Sequence, residues 1–166
     1  MSRASWIQLF LFLHVFGAIA AVGPALTYGL WLFRAEKAGP RHRAFVLRTT
    51  SWVDGHLATP AFMVQAVSGV VLLLLEHLRF LHTAWLLAGV SIYVVTAVFA
   101  VTLYAPLVRR QIALAERLAE DPGNRALSAD YTAVAARARA FGVTAIMLTI
   151  AILYFMIVKP VLWSAG

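Results

Sequence analysis

The chain has no cysteine. Disulfides, thiolate metal sites, thiol catalysis and covalent haem attachment through Cys are thereby excluded. Charge is also scarce: 13% of the 166 residues are Asp, Glu, Lys or Arg, against about a quarter in ordinary soluble domains. No G-x-S-x-G, H-E-x-x-H, Walker loop or dinucleotide fingerprint occurs, so hydrolase, kinase and nucleotide-dependent mechanisms find no support. Most glycines fall inside apolar stretches, where they argue for close packing rather than phosphate binding. The chain reads as a non-enzyme.

What is abundant is apolar surface, at 62% of residues with a mean hydropathy of +0.83. A soluble globule could not hide it. With about 20 apolar residues needed per crossing, residues 1–166 have room for one transmembrane domain of four spans and no separate soluble domain. A net charge of +7 would suggest nucleic acid in a soluble protein. Here the basic residues lie between apolar stretches, so the bilayer and its anionic headgroups are the expected partners, not nucleic acid.

The spans are expected at about residues 6–33, 57–78, 84–108 and 141–163, with a helical hairpin at about 109–140. Ala18 to Ala21 resembles a signal-peptide cleavage region. Only Arg3 precedes the first stretch, however, while Arg34, Lys37, Arg41, Arg43 and Arg48 follow it, so it reads as a retained helix. The start of the second span has two readings. Thr59-Pro60 looks like an N-cap followed by proline at the first helical position; alternatively the helix begins nearer Thr50, Pro60 kinks it, and Asp54 and His56 lie inside the membrane. Asp121-Pro122-Gly123-Asn124 is a strong breaker between the third and fourth spans. Trp6, Trp85 and Trp163 would mark one face of the bilayer as interfacial anchors.

Five Lys or Arg lie in the segment Arg34 to Arg48 and six between Arg109 and Arg139, against only Arg3, Arg79 and Lys159 at the opposite face. The positive-inside rule then places both long loops in the cytoplasm and both termini outside, in a multi-pass membrane protein. Arg41, Arg43, Arg48, Arg109 and Arg110 are the expected headgroup or partner contacts. Asp54 has Arg48 as its expected boundary ion partner.

Gly17, Ala21, Ala25 and Gly29 recur every fourth residue, a ridge that lets another helix approach closely. His14 lies about 60° from the start of that ridge and so faces protein. Ala61, Gln65 and Ser68 share a stripe on the second span, joined by Asp54 and Ala58 if that helix is continuous. Such stripes pack a four-helix bundle, with hydrogen bonds worth about 1 kcal/mol each.

Five histidines invite a bis-histidine haem. At about 1.5 Å per residue, His14 and His56 differ in depth by roughly 20 Å, too far for one iron. His77 and His82 belong at the outer surface, and His42 in the cytoplasmic loop. Met156 comes out near the depth of His14 and Tyr93 slightly deeper, so a haem b or copper site using His14 with Met156 and Tyr93 is the expected form of any cofactor centre.

The runs Leu13-His14-Val15-Phe16-Gly17-Ala18, Gly23-Pro24, Thr59-Pro60 with Ser68-Gly69, and Val158-Lys159-Pro160 together resemble the bacterial integral membrane proteins of the domain of unknown function 2269 family. The resemblance covers nearly the whole chain and implies a four-helix, multi-pass protein of a bacterial inner membrane, without an established activity. More distantly, an opening Leu-His followed by small residues is similar to the four-helix modules of the copper-resistance D proteins and of a bacterial haem-pathway protoporphyrinogen oxidase, which would imply copper or haem handling at His14. The chain departs from that pattern in lacking a second inward histidine at matching depth and in having only four methionines. The expected function is an accessory or packing subunit of a larger membrane complex, assembled with other subunits or with itself. A haem- or copper-associated redox protein and a small transporter are the alternatives.

Overall fold

The computed structural model describes residues 2–77 and 82–160. Arg79, Trp163 and the far end of the fourth span lie outside the described residues. The described chain is all-helical, with four long apolar helices: α1 (Arg3–Ala38), α2 (Pro40–Leu75), α3 (Ala84–Glu120) and α4 (Arg125–Val158). Local chemistry sets their ends. The Ser2 hydroxyl accepts from Ser5 N at 3.2 Å to start α1, and Asn124 Oδ1 accepts from Leu127 N at 3.1 Å to start α4. Lys159 closes α4 in the left-handed region, with Pro160 behind it.

One residue, Gly39, separates α1 from α2. Its φ of 102° is open to glycine, and Pro40 then occupies the first turn of α2 with its φ already fixed. The segment Arg34 to Arg48, expected as a loop, is therefore two helix ends meeting at a corner.

Of the two readings of the second span, the continuous helix is the one found: α2 runs through Pro60. Proline supplies no N–H, and its ring collides with the carbonyl four residues back. Both problems are met by a widened turn over Asp54–Ala58, closed by a bond from Thr59 N to Asp54 O. The same solution recurs in α3. Ala100–Tyr104 forms a second widened turn, closed by Ala105 N to Ala100 O, immediately before Pro106.

The helices, at 34 to 37 residues, are about 50–55 Å long and overrun a hydrocarbon core of about 30 Å. The excess gathers at the arginine-rich end. There Leu114, Ala115 and Leu118 of α3 bury against Ala44 and Leu47 of α2 and Tyr131 and Val134 of α4. On α3 the buried Gln111, Leu114, Ala115 and Leu118 follow i, i+3, i+4, i+7 spacing, an amphipathic stripe that continues the helix beyond its apolar part. The expected hairpin at 109–140 is thus half of a four-helix headpiece.

Polar groups lock that headpiece. Arg43 pairs with Glu36 at 2.9 Å across the Gly39 corner, and its guanidinium lies 4.6 Å from the centre of the Tyr131 ring. The Tyr131 hydroxyl donates to Glu36 Oε1 at 2.8 Å and accepts from Gln111 Nε2 at 3.4 Å. Burial first, and then its bond to Glu36, push the Tyr131 phenol up to about 12, against the partly offsetting Gln111 and Arg43. It therefore stays a hydrogen-bond donor at neutral pH.

Toward the opposite end the molecule divides into two hairpins. α1 packs along α2, and α3 along α4. Arg3 donates to Leu75 O in one hairpin, and the Lys159 ammonium lies 5.1 Å from the Trp85 ring centre in the other. Between hairpins, the Tyr93 hydroxyl donates to Phe62 O at 2.9 Å.

Candidate functional site

The widened turn of α2 brings Asp54 into a polar cluster with side chains of α1 and α3. The Tyr28 hydroxyl of α1 donates to Asp54 Oδ1 at 2.8 Å. Tyr104, on the widened turn of α3, lies within electrostatic reach of both Asp54 and Tyr28. Its hydroxyl oxygen lies beside Gly142 of α4, 3.6 Å from where a Cβ would stand, an ordinary van der Waals contact.

Tyr28 lies five residues inside the end of the first apolar stretch and Tyr104 four inside that of the third, which puts the carboxylate roughly 6–8 Å within the apolar zone. An acid at that depth without a counter-charge is costly, and such residues mark functional sites by default. The expected Arg48 partner is not there: Arg48 pairs with Glu116 at 3.8 Å, and Asp54 belongs to neither ion pair found among the described residues. Asp54 instead points across to α1, because the widened turn follows the buried line through Ala58, Ala61, Gln65 and Ser68.

His14 occupies a different place, between α1 and α2 and nearer the opposite end. Its Nδ1 lies 2.8 Å from Gln65 O, and since a carbonyl only accepts, Nδ1 carries the hydrogen. Ser68 Oγ sits 3.4 Å from Nδ1 while donating to Val64 O at 2.6 Å. Gly69 leaves the slot for the ring, a Cβ there falling 3.0 Å from His14 Cε1. Gln65 Oε1 is buried with no hydrogen-bond partner.

The residues grouped with His14 from sequence are each engaged elsewhere. The Met156 side chain packs on Gly89 in the α3–α4 hairpin, and the Tyr93 hydroxyl is taken by Phe62 O. No three His, Asp or Glu side chains gather as a metal-ligand set among the described residues. Of the ridge, Gly17 meets Ala61 O and the Gln65 backbone, Ala21 is buried, Ala25 is half-buried, and Gly29 stands exposed with open space around it. Arg41, Arg48, Arg109 and Arg110 are exposed, whereas Arg43 is drawn into the headpiece, its side chain 15% exposed. For Arg43 the expected headgroup contact is replaced by the Glu36 pair.

Tyr28 and Tyr104 went unmarked in the sequence. Matching depths along antiparallel helices, the test applied to the histidines, would have placed both phenols beside Asp54.

Four helices, each long and apolar enough to cross a bilayer, define a multi-pass integral membrane protein. The chain belongs to the family described as predicted integral membrane protein (DUF2269), which it matches over residues 8–160. No curated protein and no solved structure matches it.

Proposed function

We propose that this is an ion-linked membrane protein whose working group is Asp54, a carboxylate that takes up and releases a proton near the arginine-rich end of the bundle. The observation that carries the reading is the Asp54–Tyr28–Tyr104 cluster itself: an acid inside the apolar zone, held by a phenol, with no cation among the described residues paired to it, where two helices are both widened. A proton satisfies such a group more cheaply than an ion that must shed its hydration shell. In this reading the arginine-rich headpiece lies in the cytoplasm, in line with the positive-inside rule. Protons then reach Asp54 from that side, with the Tyr28 hydroxyl stabilising the ionised form by a charge-assisted hydrogen bond.

Infrared difference spectroscopy of the protein in lipid, stepped from neutral to acid pH, should show a protonated-carboxyl band that Asp54→Asn removes and Glu76→Gln leaves in place. Identical difference spectra for the parent and Asp54→Asn would refute the proposal.

A cofactor reading at His14 draws on a separate observation. With Nδ1–H given to a backbone carbonyl, the lone pair is fixed on Nε2, the arrangement found in metal-ligating histidines. An absorption spectrum after haem supplementation, with metal analysis, tests it. A band lost in His14→Ala supports it, and a colourless, metal-free sample removes it. The accessory-subunit reading draws on the open surface at Gly23 and Gly29, where another helix could approach α1 closely. Native mass measurement showing a lone monomer would count against it.

A further inference from the structure

A groove of about 470 Å³ lies beside the headpiece, lined by Phe45, Arg48, Thr49, Ser51 and Trp52 of α2 and Ile112 of α3. Phe45, Arg48, Thr49 and Trp52 follow i, i+3, i+4, i+7 spacing, so one face of α2 forms its wall. That wall is mixed in character. Phe45 is 68% exposed and Trp52 61% exposed, and both are large apolar rings. Between them stands the Arg48 side chain, 70% exposed and only loosely paired with Glu116 at 3.8 Å. Beyond the opposite wall, one turn from Ile112 on the same face of α3 and toward the apolar part, is Arg109, also exposed. Trp52 is two residues from Asp54, so the floor of the groove sits at the edge of the apolar zone.

We infer that this groove is a binding site for an anionic phospholipid, with Arg48 and Arg109 taking the phosphate and the upper acyl chain lying across Trp52 and Ile112. Charge complementarity selects the occupant. One guanidinium lines a cleft that opens where headgroups meet hydrocarbon, a second stands one turn beyond its far wall, and guanidinium matches phosphate oxygens with paired donors. Glu116 is the competitor: it pairs with Arg48 and yields it when a phosphate enters.

The test is native mass spectrometry of the intact protein released from nanodiscs of phosphatidylglycerol mixed with phosphatidylcholine, reading the lipid retained at low activation energy. The parent should retain one phosphatidylglycerol in preference to phosphatidylcholine. Arg48→Gln should lower that retention by roughly fivefold, the weight of one basic residue at an anionic surface. Glu116→Gln should raise it, a gain that misfolding cannot mimic. Arg137→Gln, an exposed arginine elsewhere on the headpiece, should leave it unchanged. Equal retention of both lipids would overturn the site, as would equal losses in Arg48→Gln and Arg137→Gln, which would mean diffuse attraction. A dimer that dissociates in Arg48→Gln would show instead that a second copy fills the groove.

Discussion

Replacing Gly17 with alanine should separate packing from helix propensity in the α1–α2 hairpin. A Cβ at Gly17 would lie 3.0 Å from Ala61 O, 3.3 Å from Gln65 N and 3.4 Å from Gln65 Cβ. Two of these neighbours are backbone atoms of an intact helix, so relief requires α2 to move as a whole. In a bilayer this contact is held by van der Waals packing rather than by exclusion of water, so a gap of a few tenths of an ångström is felt directly. Overpacking of this kind costs about 1–3 kcal/mol, whereas alanine gains about 1 kcal/mol over glycine in a helix interior. Gly23, on the same helix with nothing within 4 Å of its Cβ position, keeps only the gain. The difference between Gly17→Ala and Gly23→Ala therefore isolates a packing loss of about 1–3 kcal/mol, readable as unfolding free energy in mixed micelles of increasing SDS fraction. Equal stabilities for the two variants would refute the close approach of α1 to α2. Gly89→Ala offers an internal comparison. Its Cβ meets Met156 Cε at 2.6 Å, but that is the free end of a flexible side chain, so the loss should be smaller than at Gly17.

Three further outcomes are expected. Gly39→Ala places a side chain at φ 102° with no atom within 4 Å of its Cβ, so backbone strain alone should destabilise the headpiece by about 1–2 kcal/mol in the same micelle assay; no change would remove the corner as a glycine requirement. Glu36→Gln removes the counter-charge of Arg43, and loss of a charge-assisted pair should cost about 2 kcal/mol and raise proteolytic nicking near Gly39; Tyr131→Phe should cost about 1 kcal/mol and no more. Tyr28→Phe keeps the ring but removes the 2.8 Å bond to Asp54, so the carboxyl band of the infrared titration should change in position while the helical content by circular dichroism stays the same; an unaltered band would place Tyr28 outside the site.

The four apolar stretches and the crowding of arginine at one end are both plain in the sequence, because hydrocarbon thickness and charge leave strong, local signals. The close-packing role of Gly17 and Ala21 was legible for the same reason, since a four-residue ridge follows from helix geometry alone. The course of α2 was not. Thr59-Pro60 carries the marks of a helix start, yet a widened turn over Asp54–Ala58 lets the helix pass through Pro60, and hydropathy does not register such a turn. The partner of Asp54 was hidden differently: Tyr28 is 26 residues away on another helix, whereas Arg48, the nearest arginine along the chain, drew the expectation instead. His14 stood out because a histidine in an apolar run is rare, but rarity in composition says nothing about which contacts its ring makes.

The headpiece and the apolar zone are not separate parts, since α2 and α3 run unbroken from one into the other. A long helix is stiff along regular turns and yields where the winding loosens. Any torque applied at the headpiece is therefore delivered along α2 and α3 to their widened turns, one of which carries Asp54 and the other Tyr104. The two prolines thus make each helix a lever with its pivot at the acid.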